Sequence, residues 1–323
     1  MRNLTMMTDF YEFTMSQAYF NAGKKDEIAV FDAFFRKNPL GGGYGVMGGV
    51  DRIIDFIKNA HFTDEDITYL RSTGQFTEDF LEYLRNFKFT GSIYAIPDGT
   101  PVFPNEPLIT VKAPIIEAQI IETILLSYLN ANICFTTAAT RVVESANGIG
   151  VMEFGARRAM GPEAAVEASK CAVIAGCMGT SNVLAGQVYG VPVMGTMAHS
   201  LVTEADSEYE AFLNYAKAYP NNCVLLVDTY DVLKSGVPNA IRVAKEYLIP
   251  NGYKLKGIRI DSGDLAYLSK EAKKMFVRAG LPDVKICLSN GLNENTIKSL
   301  KEQGAVIDSI GLGDNIVLPD KAR

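Results

Sequence analysis

From about residue 148 onward the chain repeats one unit: a short apolar, β-branched run, a polar loop, then a stretch of helical spacing. The runs are IGVMEF (149–154), VPVMGT (191–196), CVLLVD (223–228), KGIRID (256–261), VKICLS (284–289) and VIDSIGLG (306–313). Helical patterns separate them at 163–185, 204–218, 236–247, 265–279 and 293–303. Continuous apolar runs of this length lack the alternation of a half-exposed strand. Both of their faces must therefore be covered, as in parallel strands under helices. Right-handed crossovers then lead to an open doubly wound sheet or to a closed α/β barrel.

The first 114 residues read differently. TDFYEFTMSQAYF has a cap-like Asp9…Glu12 start and helical apolar spacing. Residues 28–36 form a strand candidate ended by Asn38-Pro39 and a glycine-rich loop, and helical patterns follow at 50–59, 63–72 and 77–87. SIYAI, PVF and LITVKA are short strands punctuated by Pro97, Gly99 and Pro104, consistent with a small antiparallel sheet. Pro114, at a helix N1-like position, opens the strongly apolar segment 115–135. The expected organisation is an N-terminal α/β domain over 1–114 and an α/β barrel carrying the chemistry over 115–323.

Composition narrows the function. With 31 basic and 37 acidic residues the net charge is −6, and no basic stripe is present, so nucleic acid is not an expected partner. Anion binding then has to be local, through a few arginines and backbone N–H groups. The five cysteines are scattered without a Cys-x-x-Cys pair, and there are two histidines. Buried reduced thiols are expected rather than disulfides or a zinc site. Polar residues interrupt the most apolar stretch, and no run has signal-peptide length, so a cytoplasmic protein without a membrane span is expected.

Chemistry-capable residues cluster just after the strand candidates: Arg157 and Arg158; Thr196 and His199; Asp228 and Asp231; Arg259, Asp261 and Asp264; Ser289, Asn290 and Gly291; Gly311, Gly313 and Asp314. Ligands of parallel α/β folds bind at the carboxyl ends of strands, so this rim reads as a site. His199 suits proton or phosphoryl handling near neutral pH, with Asp228 as a candidate carboxylate to hold its tautomer. The arginines offer forks for carboxylate or phosphate, while Asp261 and Asp264 can accept ribose hydroxyls or hold Mg²⁺ through water. His61, ahead of a helix start, reads as a surface residue. GYGVMG (43–48) matches G-x-G-x-x-G but lacks the strand–turn–helix context, and reads as a flexible loop. VLLVDTYD partly resembles the phosphoribosyl-diphosphate signature of type I phosphoribosyltransferases, although it continues VLKSG.

Taken in order, TDFYEFTM, FDAFFRKNPLGGGY, the segment 96–126, EFGARRAMGP, GTMAHS, VDTYD and IRIDSGDL resemble the nicotinate phosphoribosyltransferases, a type II phosphoribosyltransferase family. The resemblance implies transfer of ribose 5-phosphate from phosphoribosyl diphosphate to nicotinate, yielding nicotinate mononucleotide and pyrophosphate. It implies coupling to ATP through a phosphohistidine at His199, Mg²⁺ with the phosphorylated substrates, and a homodimer with shared sites. By motif position Phe154 stacks on the pyridine ring, and Tyr11 covers its other face from a second subunit. Arg157, Thr196 and Arg259 contact nicotinate and phosphate, and Asp261 lies near the ribose. Asn290, Gly291, Gly311 and Gly313 cradle the 5-phosphate.

The chain departs from that pattern at GLGDN, where relatives carry Gly-x-Gly-Thr, and at Ala138, where a lysine is frequent. Relatives also extend beyond this C-terminus, so the chain reads as short or truncated. The nearest rival is a nicotinamide-using relative, against which the neighbouring Arg157 and Arg158 favour an acid. A non-catalytic metabolite-binding homologue is the rival from another class. It predicts a damaged site, yet His199, Asp228, Arg259 and Asp261 are all in place.

Overall fold

The computed structural model describes residues 3–318. The described residues divide into two compact units, 3–137 and 138–318, with the division inside the helix Glu122–Ala146 rather than at Pro114.

In the first unit, strands β1 (Ile28–Ala33), β3 (Ser92–Ala95) and β5 (Ile109–Pro114) form an antiparallel sheet in the order β1-β5-β3. Val30 lies opposite Lys112, and Tyr94 opposite Thr110. Helices Phe10–Asn21, Val50–Asn59, Asp64–Ser72 and Glu78–Arg85 fall where the spacing places them. The third has a full capping box, with Thr63 and Asp66 bonding each other's backbone N–H groups. Asp9 precedes the first helix but makes no side-chain cap. Pro114 ends β5 and serves as the N-cap of Ile115–Ile120, one position ahead of the expected N1. One core gathers Met47, Ile53, Val111, Ile121 and Leu125, and a second gathers Phe13, Ile67, Phe80, Leu84 and Ile120.

GYGVMG is not a flexible loop. Gly45–Val46 form β2, paired antiparallel with β4 (Pro101–Val102), and residues 45–49 are buried. Gly48 and Gly49 sit so close to Asn132 and Thr136 that a methyl group would overlap them, which is why glycines occur here. Gly48→Ala is expected to cost about 1–3 kcal/mol through this overpacking, read as a lowered urea midpoint.

The second unit is built on a six-stranded parallel half-barrel sheet. Its strands are β6 (Gly150–Glu153), β7 (Gly179–Thr180), β8 (Val224–Leu226), β9 (Gly257–Ile260), β10 (Lys285–Leu288) and β11 (Ser309–Leu312). The order is β7-β6-β11-β10-β9-β8, leaving β7 and β8 at the edges among the described residues. Leu225, Ile258, Ile286 and Ile310 are wholly buried, as two-sided coverage requires.

One expected strand and one expected helix differ. Gly176 in the left-handed region follows the helix Pro162–Ile174, so 163–185 is not continuous, and β7 lies within it. Segment 191–196 contributes a single bridge, Val193 to Thr180, in place of a strand. Gly179 permits this by letting Pro192 and Met194 approach its backbone. The other helices follow at His199–Glu204, Glu208–Ala218, Leu265–Arg278 and Glu294–Glu302. Residues 232–248 are also helical, with π-type turns on either side of Val237–Val243.

Candidate active site

Consecutive strand ends deliver a connected polar network. Beyond β8, Asp228 is 8% exposed; its Oδ2 accepts from the Asp261 backbone N–H at 3.1 Å and from the Ser262 hydroxyl at 2.6 Å. Beyond β9, Asp261 Oδ1 accepts from the buried Ser289 hydroxyl beyond β10. Asp261 Oδ2 lies 3.8 Å from His199 Nε2, while His199 Nδ1 lies 3.0 Å from Thr229 Oγ1. Nδ1 is thus within hydrogen-bond reach of Thr229, while Nε2 faces Asp261 beyond hydrogen-bond distance. Thr229 is the hydrogen-bonding neighbour of the imidazole; Asp228, expected beside it, instead fixes the 261–262 turn. The reason is geometric: Asp228 points along the sheet toward β9, and the next residue turns toward the helix that His199 opens.

Arg259 reaches the same segment, its Nη2 donating to the Met197 carbonyl at 3.2 Å. Thr196 Oγ1, Asp228 Oδ1 and Arg259 Nε are buried without hydrogen-bond partners. Each such atom costs about 1–3 kcal/mol unless something pairs with it. An acceptor carboxylate, a cationic N–H and a hydroxyl left open together match a ligand bearing both hydroxyls and anionic oxygens.

Phe154 follows β6, and its N–H donates to Leu312 O. Its half-buried ring lies against Gly311, where a methyl would strike the ring. Gly311 is itself buried inside β11, opposite Met152. Its place in the molecule is therefore beneath the aromatic ring, which differs from the expected phosphate cradle. Gly313 follows the strand and precedes the single turn Asp314–Val317. Asn290 and Gly291 are exposed, both with positive φ, in the turn that leads to the Asn293 cap.

The paired arginines separate. Arg158 is engaged twice by Asp314, Nε to Oδ1 at 2.9 Å and Nη1 to Oδ2 at 3.1 Å, while Arg157 is exposed without a partner among the described residues. Asp231 and Asp264 are helix caps: the first accepts from Leu233 and Lys234 N–H groups, the second from Tyr267 N–H. The Lys234 backbone bond is foremost in holding the Asp231 carboxyl below its usual range.

Tyr11 belongs to the first unit, 48% exposed, its hydroxyl 3.3 Å from Glu122. Its neighbour Glu12 is fully buried, and burial pushes its carboxyl up to about 7 against the opposing hydrogen bonds of Gln119 and Tyr11. His61 is exposed, as expected. All five cysteines are free and buried, and burial raises Cys177 and Cys223 to about 12. Among the described residues no cluster of three His, Cys, Asp or Glu side chains could hold a metal, and no helix is long and apolar enough to cross a membrane.

Sequence reasoning placed Ser289 on the rim but missed Thr229, Ser262 and Glu153. The two missed hydroxyl residues carry no pattern of their own, and only the fold brings Ser262 to Asp228 and Thr229 to His199. Glu153 could have been noticed as an acid set inside the apolar run IGVMEF, whose two-sided coverage requires burial.

Residues 6–130 match the nicotinate phosphoribosyltransferase N-terminal domain, and residues 149–310 match the nicotinate phosphoribosyltransferase family. The chain is 45% identical to a Bacillus subtilis nicotinate phosphoribosyltransferase over 98% of its own length and 64% of the relative's. It is 44% identical to one from Mycobacterium tuberculosis, over 98% and 67% respectively. It thus spans about two thirds of the curated relatives' length. The crystal structure of human nicotinic acid phosphoribosyltransferase superposes with a TM-score of 0.88 at 31% identity, covering 95% of this chain and 72% of that one. On these matches the chain belongs to the nicotinate phosphoribosyltransferase family.

Proposed function

We propose that the chain transfers the 5-phosphoribosyl group of phosphoribosyl diphosphate to the ring nitrogen of nicotinate, releasing pyrophosphate, as a step of NAD salvage in the cytoplasm. The observation that carries this reading is the set of buried, unpaired polar atoms on Thr196, Asp228 and Arg259 beside His199. Asp228 Oδ1 and Asp261 suit ribose hydroxyls, and Arg259 with Thr196 suits an anionic group. The exposed, unpaired Arg157 is the candidate partner of the nicotinate carboxylate, with Phe154 stacked on its ring. Substitution at C1′ passes through an oxocarbenium-like state, so holding both reactants in line supplies much of the acceleration.

In this reading ATP gives its γ-phosphoryl group to a His199 nitrogen and leaves as ADP. The hard oxygen donors Asp228 and Asp261 suit Mg²⁺ carried in with the diphosphate, where it neutralises the leaving group. Tyr11 covers the second face of the pyridine from the other subunit of a homodimer.

The test is pyrophosphate release with nicotinate or nicotinamide, with and without ATP. Nicotinate turnover stimulated by ATP is expected; turnover of nicotinamide alone would overturn the reading. Gly311→Ala should force the Phe154 ring aside and raise the nicotinate KM roughly tenfold, as expected for about 1.4 kcal/mol of lost binding. The KM for phosphoribosyl diphosphate should stay unchanged.

A further inference from the structure

Glu153 is the last residue of β6 and has no exposed surface. Its Oε1 accepts from the Gly155 backbone N–H, and its Oε2 accepts from the Thr180 hydroxyl. The Ser169 hydroxyl lies 3.1 Å from Oε2 and 2.8 Å from the Ala165 carbonyl, so it donates to one at a time. All three donors are uncharged. A carboxylate buried on neutral donors adds little stability over a well-packed apolar residue, so stability alone does not explain it.

What the carboxylate joins does explain it. The Gly155 bond closes the turn that carries Phe154, and the backbone bond from Phe154 N to Leu312 O holds the other side of that turn. Gly155 itself must be glycine, since a methyl there would strike Glu153, Val317 and Gly313. On the opposite side, Thr180 pairs in register with Glu153 across β6 and β7. Thr180 also bonds Pro192 and Met194 through its backbone, at 2.9 and 2.8 Å, just ahead of Thr196 and His199. One carboxylate therefore ties the aromatic turn to the strand end that feeds the histidine segment.

We propose that Glu153 is a positioning residue that sets the Phe154 ring and, through Thr180, the 192–199 segment. This rests on the reading of Phe154 as the nicotinate-stacking residue. The chain contains no tryptophan, so Phe154→Trp places a single emitter at that ring position.

The experiment compares the full chain with Glu153→Gln for steady-state kinetics, and Phe154→Trp with and without Glu153→Gln for emission. The expected result is a nicotinate KM raised roughly tenfold with kcat changed less than about threefold, and a shifted emission maximum. A lowered Tm with unchanged KM and unchanged emission would reduce Glu153 to a structural role and overturn the proposal, as would a fall in kcat alone. If the wild type does not turn over nicotinate, the functional reading fails by itself. The emission shift still decides whether Glu153 sets the ring. Should Glu153→Gln not fold, Thr180→Val removes one donor while keeping the shape, and must raise the nicotinate KM in the same direction; no change would overturn the proposal.

Discussion

His199→Ala is expected to abolish ATP stimulation of nicotinate mononucleotide synthesis and to lower ATP-dependent turnover by at least about a hundredfold, the usual scale for removing a nucleophile or acid–base group. The side chain is 44% exposed, so its loss leaves no cavity in the core, and the Tm should hardly move. What disappears is an imidazole with Thr229 at 3.0 Å from Nδ1 and the Asp261 carboxylate 3.8 Å from Nε2. Measuring pyrophosphate release with and without ATP separates the two contributions, since the uncoupled reaction needs only the binding groups. A mutant still stimulated by ATP would remove the phosphohistidine from the mechanism.

Glu12→Gln is expected to raise stability at pH 8 and to flatten its dependence on pH. The Glu12 carboxyl is fully buried, and burial raises it from 4.5 to about 7, outweighing the opposing hydrogen bonds of Gln119 and Tyr11. A carboxyl raised in the folded state holds its proton more tightly there than in the unfolded chain. Folding is then favoured below pH 4.5, and stability declines as pH climbs from 4.5 through 7. The penalty is complete above pH 7 and amounts to roughly 1–3 kcal/mol. Urea midpoints at pH 5, 6, 7 and 8 read this directly. Parallel curves for the wild type and Glu12→Gln would show that Glu12 does not carry the dependence.

Much of the second unit was legible because its strands are largely buried. A two-sided parallel strand must be an unbroken apolar run, and its C-terminal end must be where polar residues resume, so 223–228, 256–261 and 284–289 announced both strand and rim. Segment 191–196 imitates such a strand, but the actual pairing partner is the two-residue Gly179–Thr180, too short for any periodicity to reveal. GYGVMG misled for a related reason. Glycines permit a loop, but these glycines exist because Asn132 and Thr136 approach their backbone from a helix about ninety residues later.

Sequence by itself therefore determined the architecture, the family resemblance and the identity of the rim residues, since burial pattern and motif order are written locally. Tertiary structure alone decided which of those residues touch. It gave His199 to Thr229 and Asp261, turned Asp228 onto the 261–262 turn, committed Arg158 to Asp314 and left Arg157 open. It also laid Phe154 over Gly311 and sealed Glu153 beneath that turn. Hydrogen bonds reach only about 3 Å and depend on direction, so partner choice follows from side-chain placement across strand ends, which no linear spacing encodes.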